Sequence, residues 1–131
     1  MPASVGVPRE TEPGERRVAL VPATAAKLLV AGLNVIMERG AGLPSMYPDA
    51  EYEDVRLEQD ARAVWQADIV LKVQPPSLPE VRLLREDGVL IGAMAPYAHP
   101  ERTLALRDRG ATVFSMELLP RLTRAQAMDV L

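Results

Sequence analysis

Apolar residues fall into five short, continuous runs, and segments with helical spacing separate them. The runs do not alternate apolar with polar positions, which is typical of strands buried on both faces of a sheet. Alternating strands and helices predict a three-layer α/β domain on an open, doubly wound parallel sheet. The predicted strands are Ala3–Val7, Leu33–Met37, Asp68–Val73, Val89–Ala93 and Thr112–Met116, and the predicted helices are Pro22–Ala31, Asp60–Ala67, Leu78–Arg85 and Pro100–Arg109.

The region from Gly40 to Glu58 has a weaker pattern. Gly40-Ala41-Gly42 lacks the third glycine of a dinucleotide fingerprint and the helix that should follow it, so we interpret it as a turn. Tyr47–Val55 is interpreted as a short helix, and no strand is predicted in this region.

Composition narrows the function classes. The 131 residues fit one domain, and a net charge of −3 with interleaved signs does not favour nucleic-acid binding. The absence of cysteine excludes disulfides, and a single histidine, His99, argues against a zinc centre or a Ser-His-Asp triad. Neither a signal peptide nor an apolar window of about 20 residues is present, so we expect a soluble, cytoplasmic chain.

Polar residues follow several predicted strands directly. The loop Pro8–Val21 follows the first strand, Lys72 ends the third, Met94–His99 follows the fourth and Glu117–Arg121 follows the fifth. Because the carboxyl ends of parallel strands lie at one edge of a sheet, we expect these segments to lie at that edge. Ligands of open parallel sheets bind there.

Three of these residues have alternative interpretations. Lys72 is either a cleft residue or a lysine whose stem is packed while its ammonium reaches solvent. Arg17 is either a cleft residue or a solvated loop arginine that pairs with Glu15. His99 precedes the helix start at Pro100, and a capping or solvent-exposed role is favoured over catalysis, because no partner base or nucleophile is apparent.

The last segment, Pro120–Leu131, concentrates polar chemistry. It carries Arg121, Arg124, Gln126 and Asp129, with Thr123 as a candidate N-cap of a helix that has only begun to repeat. An amide can recognise a carboxamide reciprocally, and an arginine held by a carboxylate makes a rigid polar wall. The alternative is an exposed helix face with an ordinary Arg–Asp pair. We expect the chain to be part of a longer polypeptide.

The same segment, Pro-Arg-Leu-Thr-Arg-Ala-Gln-Ala-Met-Asp at 120–129, closely resembles a signature of proton-translocating nicotinamide nucleotide transhydrogenases. The signature belongs to their NAD(H)-binding component, in the alpha subunit. Gly6–Glu10, Glu15–Ala19 and Ile69–Val73 also resemble this family and its relative, alanine dehydrogenase. The resemblance implies a flavodoxin- or Rossmann-like N-terminal domain over residues 1–131, followed by a separate glycine-rich, NAD-binding Rossmann domain.

The resemblance also bears on the choice between the two enzymes. Alanine dehydrogenases use an arginine matching Arg17, a lysine matching Lys72 and a histidine whose position falls on Pro96. His99 lies too late to replace that histidine. The transhydrogenase is therefore favoured, and an alanine-dehydrogenase-like oxidoreductase or a free-standing, non-catalytic binding module are the alternatives.

The transhydrogenase resemblance implies roles for particular residues. Gln126 would contact the nicotinamide end of NAD(H), and Arg121 and Asp129 would form the polar wall beside it; Arg17 and Lys72 are possible additional cleft residues. NADP(H) would bind a partner domain, without a metal. The implied partners are the rest of the alpha subunit, the NADP(H)-binding and membrane components and a second copy in a homodimer, which places the chain on the cytoplasmic side of the inner membrane.

Overall fold

The computed structural model describes residues 2–94 and 98–116, in which strands and helices alternate. None of the helices in these residues has the length and apolarity needed to cross a membrane. The strands are β1 (Ser4–Val7), β2 (Asn34–Glu38), β3 (Arg56–Glu58), β4 (Ile69–Leu71), β5 (Val89–Gly92) and β6 (Thr112–Ser115). The helices are α1 (Pro22–Val30), α2 (Ala61–Trp65), α3 (Leu78–Leu83) and α4 (Pro100–Asp108), with 3-10 turns at Leu43–Ser45 and Asp49–Glu51.

The six strands form one sheet in the order β3-β2-β1-β4-β5-β6, and every neighbouring pair is parallel. In the central strand, Val5 lies opposite Val35 of β2 and Ile69 of β4. The open parallel α/β sheet predicted from the sequence is confirmed. The strand order reverses between β1 and β4, and such a topological switch point opens a crevice at the carboxyl ends of the two strands.

Helices cover the sheet on both faces. One face presents Val7, Val35 and Met37, which pack with Ala25 of α1 in one core cluster. The opposite face presents Val70 and Leu90, which pack in a second cluster with Trp65, Val81 and Leu106 of the other three helices and with Leu84 directly after α3. Burial on both sides explains why the strands are continuously apolar.

A glycine in β1 allows one of these helices to approach closely. A Cβ at Gly6 would lie 2.2 Å from the carbonyl oxygen of Val64 in α2 and 2.9 Å from the Cβ of Ala67. Real side chains do not tolerate the first distance, so the contact between α2 and the central strand depends on glycine at this position.

The structure corrects the sequence prediction between Gly40 and Glu58. The segment contains β3, which was not predicted, and the short helix predicted over Tyr47–Val55 is reduced to the 3-10 turn Asp49–Glu51. β3 is a three-residue edge strand, and its polar sequence Arg-Leu-Glu has no continuous apolar run to reveal it. The glycine turn is confirmed, because Gly40 adopts a φ of 79°.

The predicted first residues of the helices agree with the structure more closely than the predicted last residues. Asp60 lies just outside α2 as its N-cap and accepts a hydrogen bond from the Arg62 amide at 2.9 Å. Ser77 and Glu80 form a capping box at the start of α3. Both helices end two residues earlier than predicted, and Leu84, directly after α3, already has an extended backbone.

Candidate functional site

Polar side chains meet at the carboxyl ends of β1 and β4, where the long loop after β1 lies against the segment after β4. We call this group the switch-point cluster. It consists of Glu10, Glu15 and Arg17 from the loop, and of Lys72, Gln74 and Glu80 from the segment that leads from β4 into α3.

Lys72 lies in the interior of the cluster. Its side chain is 2% exposed, and its Nζ lies 2.9 Å from Oε1 of Glu10 and 3.9 Å from Oε2 of Glu80. A buried ammonium needs such a partner, because desolvation costs several kcal/mol per ion by rough estimate. The interpretation of Lys72 as a lysine whose ammonium reaches solvent is therefore wrong.

The main chain of Lys72 is fixed by β5. Its amide donates to the carbonyl of Ile91 at 2.9 Å. A Cβ at Gly92 would lie 2.3 Å from the carbonyl oxygen of Lys72, so only glycine permits this spacing. The position of Lys72 is thus set by backbone packing and then by its ion pair.

Glu10 ties the loop after β1 to the segment after β4. Its side chain is 3% exposed, and its two carboxylate oxygens accept three hydrogen bonds. The donors are Nζ of Lys72 at 2.9 Å, the Val73 amide at 2.9 Å and the Gln74 amide at 3.0 Å. Every donor comes from consecutive residues, so one carboxylate holds this whole turn of backbone.

Arg17 and Glu15 form the outer part of the cluster. Glu15 Oε2 accepts from the amide and Nε of Arg17 at 2.8 and 2.9 Å, and Oε1 accepts from Nη2 at 2.7 Å. The Arg17 side chain is 69% exposed, whereas that of Glu15 is 5% exposed. Arg17 is therefore exposed and paired with Glu15, as the second interpretation expected, and its role as a cleft residue stays a prediction.

This pairing shifts the ionisation of both groups. The hydrogen bonds from Arg17, mainly, and from Gln74 lower the pKa of Glu15 from 4.5 to about 2, although burial opposes the shift. The same side-chain bond raises the pKa of Arg17. Glu15 is therefore a carboxylate under all ordinary conditions.

Gln74 connects the two halves of the cluster. Its side-chain Nε2 donates to Oε1 of Glu15 at 2.7 Å, while its own amide is held by Glu10. A continuous path therefore runs from Arg17 through Glu15, Gln74 and Glu10 to Lys72. The sequence prediction that the loop after β1 and Lys72 share one edge of the sheet is confirmed.

Sequence reasoning selected the two ends of this path and the pairing of Arg17 with Glu15, and it missed the link from Glu15 through Gln74 and Glu10 to Lys72. Glu10 and Glu15 were visible as carboxylates in the long loop after the first strand, which was the available signal. Glu80 was visible only as the third residue of a capping box. Gln74 carried no signal, because its role depends on β4 lying next to β1.

His99 occupies the N-cap position of α4. Its carbonyl accepts hydrogen bonds from the Arg102 and Thr103 amides at 3.1 and 3.3 Å, and its side chain makes no capping bond. The position agrees with the favoured, non-catalytic interpretation.

The remaining predicted site residues lie outside the described residues. They are Arg121, Gln126 and Asp129, together with the predicted N-cap Thr123; Pro96, at the position that matches the dehydrogenase histidine, is not described either. Their roles stay predictions. Met116, the last described residue before them, follows β6 at the same edge of the sheet as the cluster.

Chemically, the cluster carries three carboxylates and two cations, so its side chains sum to 2 − 3 = −1. Each cation already has a carboxylate partner. Such an arrangement offers hydrogen-bonding groups and little uncompensated positive charge, which suits a neutral polar ligand group better than a phosphate.

The strand order, the helices on both faces and the polar cluster at the switch point define a doubly wound α/β domain whose candidate site lies between β1 and β4. The chain belongs to the family described as Alanine dehydrogenase/PNT, N-terminal domain, whose profile matches residues 6–131.

Individual relatives agree with this family. The NAD(P) transhydrogenase subunit alpha of Cereibacter sphaeroides is 38% identical over 130 residues, which cover 97% of this chain and 25% of that protein. The alanine dehydrogenase of Bacillus subtilis is 37% identical over 115 residues, which cover 86% of this chain and 30% of that protein. The resemblance to both enzymes that the sequence indicated is confirmed.

Solved structures give the same result. The crystal structure of transhydrogenase from Sinorhizobium meliloti matches with a TM-score of 0.91 at 43% identity, covering 97% of this chain and 39% of that one. A structure of L-alanine dehydrogenase matches with a TM-score of 0.84 at 30% identity, covering 87% of this chain and 32% of that one. The chain thus spans between 25% and 39% of the length of these relatives.

Proposed function

We propose that this chain is the N-terminal part of the NAD(H)-binding component of a proton-translocating transhydrogenase. The complete complex would transfer hydride between NADH and NADP⁺ and couple this transfer to proton movement across a membrane. The observation that carries the proposal is the 43% identity to a transhydrogenase structure, at a TM-score of 0.91, over 97% of the chain. The position of the switch-point cluster supports it, since dinucleotides bind at such crevices.

Within the complete component, this chain would supply one wall of the nicotinamide cleft. Gln126 would pair with the nicotinamide carboxamide, because an amide offers both a donor and an acceptor. Arg121 and Asp129 would form a rigid wall beside the ring. Arg17 would lie at the cleft edge, and buried Lys72 would support that edge from beneath.

The remaining functions would belong to parts of the protein that the relatives have in addition to this region. A glycine-rich Rossmann domain would hold the adenosine and pyrophosphate of NAD(H), and a partner domain would hold NADP(H). A homodimer of the component would associate with membrane-embedded subunits on the cytoplasmic side of the inner membrane. The name "NAD(P) transhydrogenase subunit alpha", carried by the relative from Cereibacter sphaeroides, supports an assembly of several subunits.

An alanine-dehydrogenase-like activity is the second candidate, and the Bacillus subtilis relative at 37% identity is the observation that favours it. That reaction needs an acid–base group near the oxidised carbon. The residue at the matching histidine position is Pro96, which cannot transfer a proton.

Two measurements test the proposal. Residues 1–131 alone are expected to show no saturable NADH binding in the micromolar range, whereas the complete gene product binds NADH. In the complete product, Gln126→Ala is expected to lower the rate of hydride transfer to NADP⁺ about tenfold or more, with the NADH dissociation constant changed less than about threefold.

The matched control is Gln66→Ala, which also removes a glutamine side chain. Gln66 lies before the start of β4, away from the carboxyl ends of the strands, and donates to the carbonyl of Leu83. The control should retain the wild-type transfer rate. Micromolar NADH binding by residues 1–131 alone, or equal rates for the two glutamine variants, would argue against the proposed cleft wall.

A further inference from the structure

We infer that Glu10 is a positioning residue for the candidate cleft: it acts on Arg17 through Gln74 and Glu15, and it holds the cleft edge in place. The inference rests on the proposed function for its link to hydride transfer. Its structural part concerns only the switch-point cluster.

Glu10 holds the backbone of the turn after β4. Its carboxylate accepts from the amides of Val73 and Gln74, at 2.9 and 3.0 Å, where the chain has left β4 and has no strand partner to fix it. The Lys72 ammonium, at 2.9 Å, neutralises the charge of the carboxylate in the interior. The turn after β4 is thus anchored by a side chain from the loop after β1.

The fixed turn after β4 determines the positions of Glu15 and Arg17. With its backbone fixed, Gln74 presents Nε2 to Oε1 of Glu15 at 2.7 Å. That oxygen also accepts from Nη2 of Arg17 at 2.7 Å, and the other oxygen accepts from Nε and the amide of Arg17. Gln74 therefore limits the orientation of Glu15, and Glu15 sets the plane of the exposed guanidinium.

A neutral side chain at position 10 could not accept all three of these hydrogen bonds. All three groups facing the carboxylate are donors, so the amide nitrogen of a glutamine would oppose a donor whichever way it is turned. Glu10→Gln keeps the volume of the side chain and breaks at least one of these contacts. The turn at Val73–Gln74 would then lose its fixed position.

The test compares Glu10→Gln with Glu12→Gln, since Glu12 is an exposed glutamate in the same loop. The first readout is the NMR-detected titration of the Glu15 carboxyl, whose pKa is about 2 in the intact cluster. Glu10→Gln is expected to raise the midpoint, because it releases the Gln74 donor while the larger contribution of Arg17 remains, and Glu12→Gln should leave the midpoint unchanged.

The second readout is hydride transfer from NADH to NADP⁺ by the complete gene product. Glu10→Gln is expected to lower kcat about tenfold with a change in the NADH dissociation constant of less than about threefold, since a positioning role affects the reaction geometry more than binding. A purely stabilising role for Glu10 would leave kcat of the folded protein unchanged.

Gln74→Ala provides a second route if Glu10→Gln folds poorly. It breaks the link to Glu15 and leaves the buried ion pair intact, so the Glu15 midpoint should again rise and kcat should again fall. Unchanged Glu15 titration in both variants would overturn the positioning role. A wild-type product that transfers no hydride would overturn the proposed function and the catalytic part of the inference, and the titration would still decide the structural part.

Discussion

The pair formed by Lys72 and Glu10 illustrates what individual residues contribute in this chain. Both side chains are almost completely buried, so each charge depends on the other for compensation. A buried pair of this kind adds little or no net stability compared with well-packed apolar residues, but the loss of one partner leaves an uncompensated charge in the interior. Sequence reasoning identified Lys72 as unusual, and only the fold revealed its partner.

Lys72→Met should therefore lower the free energy of unfolding by about 3 kcal/mol, because Glu10 keeps two amide donors and loses its counter-charge. Urea unfolding of the purified chain measures this. The control is Lys27→Met, which alters the only other lysine at an exposed position of α1 and should change stability by less than about 0.5 kcal/mol. Equal effects of the two substitutions would contradict the burial argument.

Glu15 gives the protein a specific acid sensitivity. Its folded pKa of about 2 lies below the ordinary value of 4.5, so its stabilising contribution is complete above pH 4.5 and is lost as the pH falls towards 2. Allowing for the exposure of Arg17, we expect a contribution of about 1–2 kcal/mol. Asp68, whose pKa is lowered chiefly by a hydrogen bond from the Ser4 amide, adds to the same acid transition.

Glu15→Gln should remove the Glu15 part of this pH dependence, so the stability of the variant falls less steeply below pH 4.5 than that of the wild type. Urea unfolding at a series of acidic pH values measures the two slopes. Glu53→Gln, at an exposed position, is the control and should follow the wild type. Identical slopes for all three proteins would refute the Glu15 assignment.

Met46 is a residue in an unfavourable conformation. It adopts a φ of 67° after the first 3-10 turn, and the residue is 86% exposed, so packing does not compensate for the left-handed backbone. Met46→Gly should raise the free energy of unfolding by about 0.5–1 kcal/mol, the relief of strain less the entropy cost of glycine. Met46→Ala keeps the strained backbone and should not raise the free energy of unfolding. If thermal unfolding shows that Met46→Ala is stabilised as much as Met46→Gly, backbone strain at Met46 is not the cause of the stabilisation.

At the scale of elements, the apolar runs predicted the long, buried strands because such strands have two covered faces. β3 escaped prediction because an edge strand of three residues can be polar and still pair with β2 through its backbone. The predicted helix starts agree with the structure to within one residue, and the Asp60 and Ser77 caps show that local chemistry fixes two of them; the predicted ends of α2 and α3 are two residues too late.

Packing of α2 on the central strand makes a strong prediction at Gly6. The added methyl of Gly6→Ala would collide with the Val64 backbone, which cannot move without shifting α2, and we expect a loss of about 3 kcal/mol. Gly14→Ala is the comparison, since Gly14 has a φ of 84° and no atom lies within 4 Å of a Cβ at this position. Backbone strain alone should lower the free energy of unfolding of this variant by about 1 kcal/mol. A smaller loss at Gly6 than at Gly14, measured by urea unfolding, would show that α2 adapts.

At the scale of the molecule, strand and helix alternation predicted the α/β class and the edge of the sheet where the switch-point cluster lies. It did not predict the strand order, which places β1 beside β4 and brings Glu10 to Lys72. The path through Gln74 therefore required the three-dimensional fold. The roles of Gln126, Arg121 and Asp129 come from the resemblance alone and stay predictions.

The central claim is that this chain builds the nicotinamide side of a transhydrogenase and not the substrate site of an alanine dehydrogenase. NADH oxidation by the complete gene product tests this most directly, with NADP⁺ as hydride acceptor in one reaction and pyruvate plus ammonium in another. We predict transfer to NADP⁺ and no pyruvate-dependent oxidation above background. Oxidation that requires pyruvate and ammonium, without transfer to NADP⁺, would contradict the account.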